Sequence, residues 1–584
     1  SMCDMSNEIN LKTTIDALVK QANGIWMPEV CGITQLQTQI PALVHQNAYS
    51  TSDQTRVLLV GGISGKIADV EITLKALHLY LETTLHRPIQ LSAIPCTNPD
   101  QLTAKARTNN ESVSDVYPPM DGYFHHPTQP ETRYIWRWAC FHGPDLILEI
   151  RAGISASWET NNAALAFAPD LGAKVIGPDQ DGSFIAALAT KTPSGLAPIP
   201  GIRLTVTQET LPLAMKNLWS TLLDSKLREP SPVRRVLSAR RSRTPIEVAK
   251  ILAFNYGHTL SPVVYTQGVA ISGRLRLAEL EPDGGDTIQD IVSLVESCSS
   301  SGANVFNAKP TTTELAGMIW GDELAKATGD NRYANLVVGV ADHYVPAAAG
   351  EAPTPSDPDF RTEDMFMNGA MLGRAFAITG DPRYADILTK FLLDAKIQQE
   401  NGLFWHCRSA PYYWGRGNGF AVMGFTEALT YLPEDNPDRN KLLAIYRLHL
   451  NGLIQIQCSS GMFRQVLDFP GSYPELTATS MIGYAIARGL RMRWLGPSYK
   501  HILEKCWQAV SERVQDDGAI VDGCVGTGVQ STLKEYLDRP AVHGFDDRTG
   551  SMAIWFATET ARLQRDTPQW DNRGASGTQQ SSGQ

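Results

Sequence analysis

Residues 412–420 read Tyr-Tyr-Trp-Gly-Arg-Gly-Asn-Gly-Phe, an arginine set among aromatic rings and glycines. A guanidinium stays charged, so burying it costs free energy unless it is paired. Its planar fork matches a carboxylate bidentately. The stretch therefore reads as a pocket wall for an anion. Arg416 supplies the fork, Trp414 and Tyr413 (with Tyr412 and Phe420) flat faces, and Asn418 both donors and acceptors. Any one of these rings taken singly also suits core packing. Upstream, Glu363 and Asp364 are followed by Met365, Phe366 and Met367. Apolar surroundings favour the protonated form of a carboxyl group, which is what a general acid needs. An aspartate where a helix begins equally suits a cap. His406, in Leu-Phe-Trp-His-Cys-Arg-Ser, is a further titratable group, fitted to contact a ligand or to hydrogen-bond within a loop. Arg408 beside it either assists an anion or faces solvent.

The elements that must position these residues fall into two kinds. From about residue 55 to 245, buried strands (RVLLVGGISG, PDLILEIRAG, GIRLTVTQET) alternate with the helical spacing of VEITLKALHLYLETTL, as in an α/β layer fold. The Pro-, Ser- and Arg-rich segment 228–245 marks a boundary. Beyond it the chain is helical. The phrase Thr-Gly-Asp-x-Arg-Tyr occurs at Thr328 and again at Thr379, with glycine ending one helix and aspartate capping the next. Further helices are expected at 420–431, 438–457, 475–494 and 498–515. Stacked helical hairpins of this kind suggest a closed α/α toroid. The expected domains are 1–245, α/β; 246–568, all-α; and 569–584, a polar disordered tail.

Four stretches, TEDMFMNGAMLGRAFAITGDPRYAD, LFWHCRSAPYYWGRGNGF, SYPELTATSMIGYAIARGLRMRWL and VGTGVQSTLKEYL, together resemble glycoside hydrolase family 105. Its members are the unsaturated rhamnogalacturonyl hydrolases; the unsaturated glucuronyl hydrolases are more distantly similar. The resemblance implies an (α/α)6 barrel acting on 4,5-unsaturated uronides left by polysaccharide lyases. It also implies a reaction that protonates carbon 4 and adds water at carbon 5, with no metal or organic cofactor. It assigns Asp364 as the catalytic acid, with Glu363 the adjacent competitor. It places His406 near that acid, Arg416 on the substrate carboxylate and Trp414 on the sugar ring. Asn304, in NVFNAKP, falls where the family carries a second aspartate. That departure weakens water activation or alters the favoured sugar. Glu475 is another carboxylate that could face the cavity, or could complement a helix N-terminus.

The N-terminal half resembles the zinc carboxypeptidases and their succinylglutamate-desuccinylase relatives in VLLVGGISGKIADVEITLKAL, PCTNPDQLTAKARTNN, PETRYIWRW and PDLILEIRAG. The family's metal ligands are not carried: their positions read Ser64, Ile67 and Arg151. Zinc needs three lone-pair donors and an open position, and arginine has no lone pair to give. No metal and no peptidase activity are expected, leaving a docking surface or a wall over the barrel mouth. Arg107 and Arg151 fit ordinary ion pairs better than an anion site. The adjacent His125 and His126 lack a third partner.

The composition agrees with a globular chain. A net charge of −10 argues against nucleic acid or an anionic membrane as main partner, so an acidic ligand requires a locally positive pocket. Nine scattered cysteines without a C-x-x-C pair indicate mostly free, buried thiols and a cytoplasmic setting. Periplasmic or secreted location is the expectation if a leader was trimmed. Three functional readings follow: a hydrolase of unsaturated uronyl oligosaccharides, a silent carbohydrate-binding protein, and a metallohydrolase acting through the N-terminal half.

Overall fold

The computed structural model describes residues 10–82, 88–102, 117–119, 129–177, 183–190, 196–224, 229–301, 305–306 and 308–567. Arg107, His125, His126, Asn304 and the segment 569–584 lie outside the described residues.

The N-terminal half is built on one eight-stranded sheet. Its strands are β1 (Trp26–Ile33), β2 (Gln39–His45), β3 (Arg56–Gly61), β4 (Gln90–Ile94), β5 (Leu146–Ala152), β6 (Ser157–Asn161), β7 (Lys174–Ile176) and β8 (Gly201–Val206), in the order β1-β2-β4-β3-β5-β8-β6-β7. The central strands β4, β3, β5 and β8 run parallel. β3 reads Arg-Val-Leu-Leu-Val-Gly and is buried along its whole length, as expected of a parallel strand covered on both faces. The helices of this half are α1 (Leu11–Ala22), α2 (Ile67–Glu82), α3 (Pro130–His142), α4 (Ala168–Leu171), α5 (Phe184–Ala187) and α6 (Leu211–Leu223). Side chains of α1, α2 and α6 form one core with one face of the sheet. On the other face, α3 and α5 share a core with residues of the second half, among them Trp414, Tyr473, Val521 and Tyr536.

The expected boundary is not a loose connector. It contains α7 (Pro232–Ser242), capped by Ser231 with proline at its start. Its arginines tie the halves together. Arg234 pairs with Asp145, while Arg240 donates to the Glu512 carbonyl at 2.9 Å. Just past its end, Arg243 donates to the Ser511 and Val514 carbonyls, each at 2.7 Å.

The second half contains α8 (Pro245–Asn255), α9 (Tyr265–Leu280), α10 (Asp286–Leu294), α11 (Glu296–Ser301), α12 (Thr312–Leu315), α13 (Gly321–Thr328), α14 (Asn331–Ala341) and α15 (Thr362–Thr379). There follow α16 (Pro382–Asp394), α17 (Gly415–Tyr431), α18 (Arg439–Ile454), α19 (Leu476–Arg491), α20 (Tyr499–Glu512), α21 (Leu533–Leu537) and α22 (Asp547–Asp566). Short strands β9 (Phe463–Arg464), β10 (Pro474–Glu475), β11 (Ile520–Cys524) and β12 (Ala541–Gly544) form two small hairpins. The helices make a closed double ring. The inner ring runs α9, α12 with α13, α15, α17, α19 and α22, and α22 packs back on α9. Helices α8, α10, α14, α16, α18 and α20 form the outer layer. The repeated phrase sits at two outer–inner junctions. Gly329 and Gly380 end α13 and α15 in the left-handed region, while Asp330 and Asp381 cap α14 and α16.

One expectation is corrected at α17. The helix starts at Gly415 rather than near residue 420, so the glycine-rich motif is helical. A side chain at Gly419 would meet Met481 of α19, and one at Gly417 would meet Thr362 of α15. These glycines let inner helices approach one another instead of admitting a sugar to the backbone.

Candidate active site

All six inner elements run the same way through the ring, so their first turns meet at one end. Glu363 is the second residue of α15, Arg416 the second of α17, Arg548 the second of α22, and Tyr265 the first of α9. The positive ends of the helix dipoles converge here and favour carboxylates.

Asp364 is fully buried. Its Oδ1 accepts from Thr312 Oγ1 at 2.5 Å, and its Oδ2 accepts from the Asp357 N–H at 2.8 Å. Arg361 Nε lies 3.1 Å from Oδ2, completing an ion pair. Burial pushes the carboxyl up, against the pull of Arg361 and Thr312. The elevated pKa suits an acid, yet both oxygens are committed to holding α12 and the 357–361 turn against α15.

The neighbouring Glu363 has the complementary properties. Its side chain keeps 13% exposure, and Oε1 lies 2.9 Å from His406 Nε2. Burial would raise this carboxyl, but His406 and then Arg361 outweigh it and hold it down to about 2. His406 is fully buried, and its Nδ1 lies 2.6 Å from the Tyr536 hydroxyl. A carboxylate only accepts, so the His406 Nε2–H donates to Glu363, while Nδ1 shares a hydrogen bond with the Tyr536 hydroxyl. The Gln530 N–H in turn donates to the Tyr536 oxygen at 3.1 Å. Glu363, His406 and Tyr536 thus form a chain reaching from α15 to the loop between β11 and β12. Its members are spread along the sequence; Glu363 stood beside the residue chosen, while Tyr536 carried no signal of its own.

The motif residues occupy different places from those expected. The Arg416 fork donates to the carbonyls of Cys524 and Val525 at 2.5 and 2.7 Å, and only 2% of the residue is exposed. It therefore does not present a free fork to a carboxylate. Trp414 is buried beneath His406, with ring centroids 4.5 Å apart, and packs into the core shared with α3. It is a wall between halves rather than a platform for a sugar. Asn418 donates to the carbonyls of Phe404 and Trp414 and accepts from the Phe404 N–H and His449. All of its amide capacity is spent inside the protein. Tyr413 is half-buried against the barrel core, and Phe420 stacks with Tyr265 and Phe366. Arg408 donates to the carbonyls of Asp394 and Ala395 at the end of α16 and lies over Phe360. Glu475 is the N-cap of α19 and also accepts from the Cys524 N–H at 2.8 Å.

Arg548 keeps its charge accessible. Its side chain is 41% exposed, and the closest carboxylate, Asp546, lies 3.9 Å away. The guanidinium passes over Gly526, where any side chain would obstruct it. Burial pushes the Tyr265 hydroxyl up, against the charges of Arg416 and Arg548.

In the other half, the three positions that would correspond to metal ligands have been put to other uses. Ser64 hydrogen-bonds Asp69, whose Oδ1 accepts from the Ala152 N–H at 2.8 Å, linking the turn after β3 to the end of β5. Ile67 opens α2, and Arg151 pairs with the buried Glu149 at 2.6 Å.

The profile of glycosyl hydrolase family 88 matches residues 249–564, and the chain belongs to that family. Among curated relatives, it is 28% identical over 171 residues to an unsaturated 3S-rhamnoglycuronyl hydrolase of Alteromonas sp. (strain LOR). That match covers 27% of this chain and 41% of the relative. It is 29% identical over 128 residues to the unsaturated rhamnogalacturonyl hydrolase YesR of Bacillus subtilis (strain 168), covering 22% of this chain and 36% of YesR. The matched stretches thus span less than half of either relative. A solved family 105 glycoside hydrolase from C. acetobutylicum ATCC 824 aligns with 54% of this chain and 99% of its own at 18% identity, with a TM-score of 0.49.

Proposed function

We propose that this chain hydrolyses 4,5-unsaturated uronyl residues at the ends of lyase-generated oligosaccharides, and that Glu363 rather than Asp364 handles the proton. The observation that carries this reading is the partly exposed Glu363–His406 pair at the dipole-positive end of a family 88 ring. In the free protein Glu363 is a carboxylate held by the His406 Nε2–H and by the charge of Arg361. An incoming uronate brings a second negative charge and excludes water, and both raise the carboxyl pKa. Glu363 takes up a proton from solvent as the substrate enters and delivers it to carbon 4. Water adds at carbon 5 and returns its proton to the Glu363 carboxylate, and the resulting hemiketal opens to release the aglycone. Asp364 anchors the first turn of α15 so that Glu363 keeps access to solvent.

The substrate carboxylate needs a cation, and we assign it to Arg548. Arg416 is held by two carbonyls, Arg361 by Asp364, and Arg408 by the end of α16. Arg548 alone among these four keeps a partly exposed side chain without a close partner. The N-terminal half reads as a zinc-carboxypeptidase-like scaffold in which Ser64 and Arg151 make polar contacts within the fold and Ile67 opens α2. The ring-forming residues need no organic cofactor for this chemistry.

The test is optical. The conjugated uronide absorbs in the ultraviolet and hydration removes the band. Turnover by wild type across a panel of lyase digests supports the reading. Binding without loss of the band on every member would favour a silent carbohydrate-binding protein instead.

A further inference from the structure

The ring reaches the α/β half through a specific piece of the site. β11 and β12 pair as a hairpin, and the loop between them carries α21 with Tyr536. Two strands of four and five residues are marginal alone, so the hairpin must be held from outside. On its barrel side, Glu475 accepts from the Cys524 N–H while Arg416 holds the Cys524 and Val525 carbonyls. On its other side stands α3 of the α/β half. The pairing register slips between Val521 and Gly523, where Asp522 adopts a φ of 73°. A bulge of this kind re-aims a side chain. Here Asp522 meets Arg137 of α3, forming an ion pair with side-chain exposures of 1% and 5%. Tyr134 and Trp136 of α3 share a core with Val521, Tyr536 and Leu537 around that pair.

We propose that the α/β domain is a built-in positioning element of the barrel site: through Arg137 and Asp522, α3 holds the β11–β12 hairpin so that Tyr536 meets His406. The proposal gives the α/β half a role within the enzyme. Arg137 touches neither the reacting atoms nor His406, so it acts only through the hairpin. Its kinetic consequence rests on the hydrolase reading, while its structural consequence does not.

The experiment uses the full chain in the forms wild type, R137M, R137K, D522N and R137M/D522L. Hydrogen–deuterium exchange is followed over 520–537, with α15 and α19 as internal controls. R137M leaves a buried carboxylate without its cation. Exchange in 520–537 should rise about tenfold or more, with the controls unchanged. Turnover of lyase-derived unsaturated disaccharides should show kcat falling about tenfold or more with KM within about twofold, because a displaced Tyr536 misorients His406. The pH dependence of kcat should move as well. R137K should recover part of the loss, and the apolar pair R137M/D522L should return exchange toward wild type by refilling the contact. Should R137M fail to fold, D522N, which keeps the shape and an acceptor, carries the same comparison. Unchanged exchange over 520–537 in the folded variants would overturn the proposal. So would a kcat loss that only tracks the unfolded fraction, with no shift in pH profile. If wild type turns over none of the disaccharides, the hydrolase reading fails, and the exchange arm still decides the positioning role.

Discussion

The two ends of the helical ring use the same residue types to opposite effect. At the end of the ring away from Glu363, arginines and carboxylates neutralise one another. Arg374 reaches Asp322 at 3.1 Å and Glu427 at 2.5 Å. Arg276 reaches Glu323 at 3.2 Å and lies over the Trp555 ring, 4.1 Å from its centroid. Arg488 and Arg491 share Glu559 at 2.8 and 2.7 Å. A cavity of about 510 Å³ opens on this network, lined by Arg276, Glu323, Lys326, Arg488 and Arg562 among others. Arg488 and Arg491 lie in the last turn of α19, where the helix dipole favours a cation. At the N-terminal end the pairing is incomplete. Asp364 and Glu475 are fully engaged, but Glu363 and Arg548 keep access to solvent. Charge satisfied within the fold stabilises it; charge left partly exposed is available for chemistry.

Substitutions can break that contrast. The largest expected effect on turnover is from Glu363→Gln, which should lower kcat of the folded protein by about a thousandfold or more, with a stability loss of at most about 3 kcal/mol. Its opposite number, Glu559→Gln, removes the buried partner of two arginines. It should cost about 3–5 kcal/mol of stability, read by denaturant titration, with kcat of the folded fraction near wild type. Arg548→Met should raise KM for the uronide about ten- to hundredfold with little change in stability, and should abolish any preference for the free acid over its methyl ester. Arg416→Lys keeps the charge but cannot span two carbonyls. It should destabilise by about 1–3 kcal/mol and lower activity through the hairpin rather than through KM.

The pH dependence sharpens the same comparison. The Glu363 carboxyl is depressed from 4.5 to about 2 in the folded protein. Its contribution to stability is therefore fully present above pH 4.5 and is lost as the pH falls toward 2. The stability difference between wild type and Glu363→Gln should shrink across that interval, by at most about 3 kcal/mol.

What the sequence made legible was local. The Thr-Gly-Asp-x-Arg-Tyr phrase announces its junctions because glycine at φ 74° and 68° and the aspartate caps act within a few residues. β3 announces itself by its apolar run from Val57 to Val60, and β5 by the run from Leu146 to Leu148. The site was legible only as a neighbourhood. Asp364 and Glu363 are adjacent on a helix, and which one keeps access to solvent depends on Thr312 and Arg361. Arg416 looked available because its carbonyl partners lie 108 and 109 residues away in sequence. Trp414 looked like a sugar platform because nothing nearby in the chain tells that α3 covers it.

The central claim is that the accessible Glu363, paired with His406, moves the proton, while the buried Asp364 holds the helix start. The most direct measurement is the ultraviolet absorbance of an unsaturated uronyl oligosaccharide incubated with wild type, Glu363→Gln and Asp364→Asn, each at a temperature where it is folded. The account predicts that wild type clears the band, Glu363→Gln leaves it, and Asp364→Asn clears it more slowly with a lowered thermal midpoint. A Glu363→Gln protein that clears the band at the wild-type rate would contradict it.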